Sequence, residues 1–150
     1  GLYNTADDFN IDYRYGNGVT MNLKSGGNAI AFEGTEGWIQ CMGWRGKVTA
    51  SNPAILETNI KWYETHLRTA ESEHRDFIDC VKSGKGTMMS AEIGHRTATI
   101  LHMGNIAMML QRRLGWDPER ELFLNDPEAE KMKSRQRRAP WRLEDILDTA

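Results

Sequence analysis

Glu92 and His95 stand three residues apart, a spacing that puts a carboxylate and an imidazole on one face of a helix. Glu-x-x-His pairs hold metals in carboxylate bundles, but a two-metal centre needs a second helical pair and further carboxylates. The helices expected below carry one such pair, so metal ligation is not expected. His102 follows His95 by seven residues, two helical turns on and close to the same stripe. Two uses of that stripe stay open. The histidines can pack or hydrogen-bond at a helix–sheet or interdomain contact, or His95 can face an anionic or hydroxyl-rich substrate near the helix start. His66, His74, Glu64 and Glu71 are read as surface groups, and no Ser/His/Asp or Cys/His arrangement is legible.

Two glycine-rich turns invite a phosphate-binding reading and fail it. Gly16-Asn17-Gly18 begins like a dinucleotide fingerprint, yet Met21 holds the third glycine position and a strand follows. A phosphate cradle needs backbone amides at a helix N-terminus. Ser83-Gly84-Lys85-Gly86-Thr87 lacks the upstream glycine of a P-loop and has Gly86 where Ser or Thr belongs. It reads as a connection between helices. Cys41 and Cys80, the two cysteines, are too few for a zinc site and match no redox motif, so buried thiols are expected.

The chain's 150 residues suit one domain, with 39% hydrophobic and 27% charged residues, an ordinary globular balance. Apolar runs fall far short of a membrane span. The net charge of −2 is unevenly spread, because Lys131, Lys133, Arg135, Arg137, Arg138 and Arg142 cluster without an acid among them. With one aromatic in the run and an acidic remainder, nucleic-acid binding is not expected; a solvated tail or a salt-bridged contact is. The chain opens at Gly1 and reads as a piece of a longer protein, so a cytoplasmic location is favoured with export left open.

The first third has the period of strands. Phe9, Ile11 and Tyr13 alternate with polar residues, Gly16-Asn17-Gly18 turns the chain, and Val19, Met21 and Leu23 alternate again. Ala29–Phe32 and Trp38–Cys41 flank Gly34-Thr35-Glu36-Gly37 as a second hairpin, and a short strand is expected near Lys47–Ser51. Residues 54–71 are ambiguous, with Trp62 and Tyr63 as anchors. Ser72 is placed to cap a helix running to about Ser83, with Phe77, Ile78 and Val81 on its apolar face and Gly84 as its stop. Ser90 is placed to cap a longer helix ending before Gly115, its stripe formed by Ile93, Thr97, Ile100, Leu101, Gly104, Met108 and Leu114. Asp126-Pro127-Glu128 starts a short third helix. Strands first and helices afterwards give an α+β fold, an open-faced antiparallel sheet with helices on one face. By the residues alone, the chain is an α+β domain with no self-contained active site.

Several segments resemble one family in order and spacing. They are Gly1-Leu2-Tyr3-Asn4-Thr5 leading to Tyr13–Val19, the Gly34-Thr35-Glu36-Gly37 hairpin, Phe77–Lys85, Glu92-Ile93-Gly94-His95-Arg96, Gly104-Asn105-Ile106-Ala107, Gly115–Glu119 and Arg138–Leu143. Together they are similar to the C-terminal domain of the Gfo/Idh/MocA oxidoreductases, in a bacterial subgroup abundant in planctomycetes. The resemblance implies a parent with an N-terminal Rossmann domain that binds NAD or NADP and carries a Glu-Lys-Pro lysine. Neither Glu-Lys-Pro nor Asp-x-x-x-His occurs here, so no catalytic or cofactor residue is assigned to this chain. What it implies for residues 1–150 is a single domain contributing substrate-pocket walls and a homodimer interface to an enzyme acting on a sugar, polyol or related carbohydrate. His95 and Arg96, on the best-matching segment, are the candidate substrate-binding residues. A non-catalytic sugar-binding or protein-interaction module is the alternative.

Overall fold

A computed structural model describes residues 5–43, 45–135, 137–139 and 142. Gly1–Asn4, Pro140, Trp141 and Leu143, which carry parts of the resemblance, lie outside the described residues. The chain divides into two units, Gly1–Ser90 and Ala91–Ala150.

In the first unit, β1 (Asn10–Arg14) pairs antiparallel with β2 (Thr20–Lys24). The alternation does what it should: Ile11 faces Leu23 and Tyr13 faces Met21 on the half-buried side. Burial pushes the Tyr13 phenol up, with Tyr15 adding to it. On the other face Asn22 Nδ2 donates to Asn10 Oδ1 at 2.6 Å and Asp12 Oδ1 at 2.8 Å. β3 (Ala29–Gly34), β4 (Gly37–Met42) and β5 (Val48–Ala50) form a second antiparallel sheet. Gly37 closes its hairpin with φ of +143°, and a side chain there would collide with Ser51; that serine's Oγ accepts from Trp38 N at 3.1 Å. The expected meander is therefore two ladders, with no pairing of β2 to β3. Ser25-Gly26-Gly27-Asn28 separates the two, and both glycines have positive φ.

A single turn, α1 (Pro53–Leu56), follows, its N-terminus capped by Asn52 Oδ1. Trp62 and Tyr63, expected as anchors, are exposed and meet each other edge to face at 5.7 Å. Helix α2 (Glu73–Ser83) begins and ends where its caps predict. Ser72 Oγ accepts from Arg75 N at 3.1 Å, and Gly84 takes the left-handed conformation with φ of 70°. Its buried side is a surprise. Asp76 and Cys80 are buried, while Phe77, Ile78 and Val81 are exposed. The polar pair wins because Asp76 is satisfied: it accepts from Arg68 Nη2 and from Met88 N at 2.7 Å. Arg68 Nη1 also donates to Gly86 O, and Cys80 Sγ donates to the same carbonyl at 3.2 Å. These bonds fix the connection between helices, residues 85–90.

The second unit begins with α3 (Ala91–Leu110), which stops short of Leu114 because Gln111 turns left-handed at φ 51°. Two short strands not anticipated from the sequence, β6 (Trp116–Asp117) and β7 (Leu122–Phe123), pair as a hairpin. Helix α4 (Pro127–Lys131) follows, capped by Asp126, whose Oδ1 accepts from Ala129 N at 3.0 Å. The core is Ile106, Phe123 and Ala129, with Met103, Leu110, Leu114, Trp116 and Met132 packed on it. Trp116 meets Phe123 edge to face at 5.1 Å. The expected stripe on α3 holds in part: Gly104 is buried and Leu114 packs on the core, but Ile93 and Leu101 are exposed, and the buried Ile106 lay outside the stripe. Apolar residues surround most of this helix, so period alone does not choose a face. Of the two thiols, Cys80 is buried and Cys41 half-buried.

Arg112 fastens the end of α3 to the start of α4, reaching both Asp126 oxygens at 3.1 and 2.9 Å and Glu128 at 2.7 Å. That guanidinium, with the Ala129 amide, holds the Asp126 carboxyl below its ordinary range. Lys133 and the Phe123 amide lower Glu130, and the Arg120 and Glu119 amides lower Asp117. A depressed carboxyl stabilises the folded state above its unfolded pKa, about 4, and loses that contribution as pH falls through the folded value. Melting followed from pH 7 to pH 3 should therefore hold level to about pH 5 and fall below about pH 4. A melting temperature flat to pH 3 would contradict these pairings.

Candidate functional site

A groove of about 770 Å³ opens along α3 in the second unit, within the size range of small-molecule sites. Ile106 and Phe123 form its apolar floor, Trp116 stands beside them, and His95, His102 and Asn105 project along one side. The start of α3 brings His95 to Glu121, a residue of the β6–β7 turn. His95 Nε2 and Glu121 Oε1 are 2.6 Å apart, both partly exposed. An ionised carboxylate only accepts, so Nε2 is the donor in this contact; in the neutral ring that makes Nδ1 the acceptor. Glu121 is held for that role at φ 54°, a left-handed conformation unusual for a non-glycine residue. Its carbonyl accepts from Lys133 Nζ at 2.6 Å.

Lys133 also pairs with Glu130 and lies 5.7 Å over the Trp116 ring. Lys131 and Arg135 complete the groove's basic rim. His102, the second histidine of the expected stripe, lines the same groove. Arg96 is placed differently. Its Nε donates to Glu92 Oε1 at 2.7 Å and its Nη1 to Pro118 O at 2.8 Å, and the groove's lining does not include it. The Arg96 hydrogen bond and charge lower Glu92. Glu92 and His95, adjacent in sequence spacing, thus have separate partners. Among the described residues no group of three or more His, Cys, Asp or Glu is arranged to hold a metal.

The two glycine turns do not fit a dinucleotide. In the loop joining β1 to β2, Gly18 N donates to Tyr15 O at 3.0 Å, Tyr15 N to Val19 O at 2.9 Å and Val19 N to Asn17 Oδ1 at 3.1 Å. These amides are spent on the hairpin. At the other turn Gly84 N donates to Cys80 O at 2.8 Å, and Gly86 contributes its carbonyl to Arg68 and Cys80. Carbonyl oxygens do not cradle phosphate.

The family described as "Oxidoreductase family, C-terminal alpha/beta domain" matches residues 6–143. The chain belongs to the Gfo/Idh/MocA oxidoreductase family. It represents that family's C-terminal domain, and its antiparallel sheets and four helices give the α+β architecture expected of it. No curated protein and no solved structure matches the chain significantly. Among the described residues no helix is long and apolar enough to cross a membrane. Membership in the family implies an N-terminal domain as partner to this one.

Of the groove residues, Glu121 carried no signal in the sequence. It lies 26 residues from His95, in a stretch without helical or strand period, and only the hairpin brings the two together. Lys131, Lys133 and Arg135 stood out as part of a basic run, but nothing in that run indicated that a groove lay beside it.

Proposed function

We propose that this domain forms the substrate side of an NAD(P)-dependent oxidoreductase acting on a sugar, polyol or related carbohydrate. The order of its motifs supports the planctomycete-like subgroup of the family. The groove along α3 is the substrate wall, and the partner N-terminal domain supplies the dinucleotide site. The cofactor bound there carries the hydride chemistry; this domain positions the substrate. The observation that carries the reading is the His95–Glu121 pair at the groove: a carboxylate fixes the tautomer, and the second ring nitrogen is left to accept a hydrogen bond from a substrate hydroxyl. Arg96 contributes as a positioning residue, bracing the first turns of α3 through Glu92 and Pro118.

The kinetic test uses the intact enzyme. His95→Ala should lower kcat/KM at least tenfold, about 1.4 kcal/mol of transition-state stabilisation, while the melting temperature barely moves. An exposed pair of this kind contributes little to folding. An unchanged rate with a clear loss of stability would show that His95 only packs.

Assembly is the domain's second role in this reading. Cross-strand pairing puts Ile30, Phe32, Ile39, Cys41, Val48 and Ala50 on one face of the β3–β4–β5 sheet. Ile30, Phe32 and Val48 are more than half exposed, and the face carries no charge. A second copy of the chain covers it in a symmetric dimer, burying upwards of roughly 1,200 Å². Sedimentation should show a dimer at micromolar concentration, and a 17.1 kDa monomer persisting at high micromolar concentration would rule it out.

A further inference from the structure

We propose that the α3 groove selects substrates that carry a negative charge, namely a sugar or polyol bearing a carboxylate or phosphate. This rests on the reading of the groove as the substrate site and adds to it a ligand class. The lining includes three fixed cations, Lys131, Lys133 and Arg135, against one carboxylate, Glu121, in a chain whose net charge is −2. The carboxylate is already engaged by His95. Lys133 is engaged too, by Glu130 and the Glu121 carbonyl, and serves to brace the site. Lys131 and Arg135 are different. Among the described residues neither is in an ion pair, and both border the groove.

Two cations with no ion-pair partner among the described residues concentrate positive potential at a partly apolar cleft. A neutral polyol would leave both unpaired. A carboxylate or phosphate would accept charge-assisted hydrogen bonds from them, bidentate in the case of the guanidinium. The hydroxyl-bearing end of the ligand would then lie toward His95, His102 and Asn105. The same charges face a different ligand poorly: the two aromatic rings of the lining, Trp116 and Phe123, pack edge to face on each other, and Lys133 lies over the indole. Successive stacked bases therefore find no platform.

Calorimetric titration of the protein decides it, using glucose, gluconate, glucose 6-phosphate, inorganic phosphate and a short DNA duplex at low and high salt. Gluconate or glucose 6-phosphate should bind at least tenfold more tightly than glucose, with the advantage shrinking in 0.5 M NaCl as the screening length falls to about 4 Å. The sugar acid and the sugar phosphate separate the two sources of charge. Lys131→Gln combined with Arg135→Gln, both at exposed positions and checked for folding by circular dichroism, should bring the anionic ligand's Kd up to that of glucose. Equal affinity for glucose and its anionic forms would overturn the charge selection while leaving the groove as a carbohydrate site. Binding of inorganic phosphate as tight as glucose 6-phosphate would remove the sugar from the proposal, and a preference for the duplex would replace it with a nucleic-acid surface. If no sugar binds in any form, the substrate reading and this inference fall together.

Discussion

Phe123→Ala is expected to remove about 3–4 kcal/mol of stability from the second unit. The ring is 4% exposed, it packs with Ile106 and Ala129 as the unit's buried cluster, and it meets Trp116 edge to face. Truncation takes away its transfer free energy and leaves a cavity that α3 and α4 do not readily close. A core of three buried residues has little to lose before it fails. The same change removes the groove's floor, so ligand binding should vanish with the fold. Phe123→Leu keeps much of the volume and should cost less than about 1.5 kcal/mol. Denaturant unfolding read by tryptophan fluorescence checks both, and a loss under 1 kcal/mol for the alanine variant would mean that the cluster is not the core.

Asp76→Ala is expected to cost about 2–3 kcal/mol, chiefly by leaving the Met88 amide without its acceptor. The Asp76 side chain is 5% exposed, and its partner Arg68 is half exposed. The arginine therefore returns to water and adds little of its own. The amide of Met88, bonded at 2.7 Å in a part-buried contact, loses its acceptor. Its hydrogen exchange should quicken roughly 30- to 150-fold, the equivalent of that free energy. Amides in β1 and β2 should hardly change. Asp76→Asn keeps an oxygen in place and should recover part of the loss. Exchange at Met88 unchanged in the alanine variant would show that residues 85–90 are held by something else.

Caps and turns were legible because their signals are local. Ser72, Gly84, Asp126 and both hairpin turns determine backbone geometry within a few residues, and the elements start and stop at them. Faces were less legible. In α2 the apolar residues Phe77, Ile78 and Val81 follow helical period, yet a carboxylate is buried in their place because Arg68 and Met88, in the loops on either side of the helix, satisfy it. In α3 the apolar residues run nearly all round, and the β6–β7 hairpin and α4 decide which side is covered. That hairpin was missed altogether: two-residue strands offer no period to find. The site divides the same way. His95 and His102 were visible as a stripe. Glu121 was not, because its contact depends on the turn between those short strands.

The groove along α3, and no other surface of this domain, is expected to meet a carbohydrate. Amide chemical shifts recorded during titration with gluconate test it most directly. Saturable shifts should concentrate at His95, Thr99, Asn105, Trp116, Glu121 and Arg135, all of which line the groove, with the β1–β2 hairpin silent. Shifts concentrated on the strands of the first unit, or none at all at millimolar ligand, would contradict it.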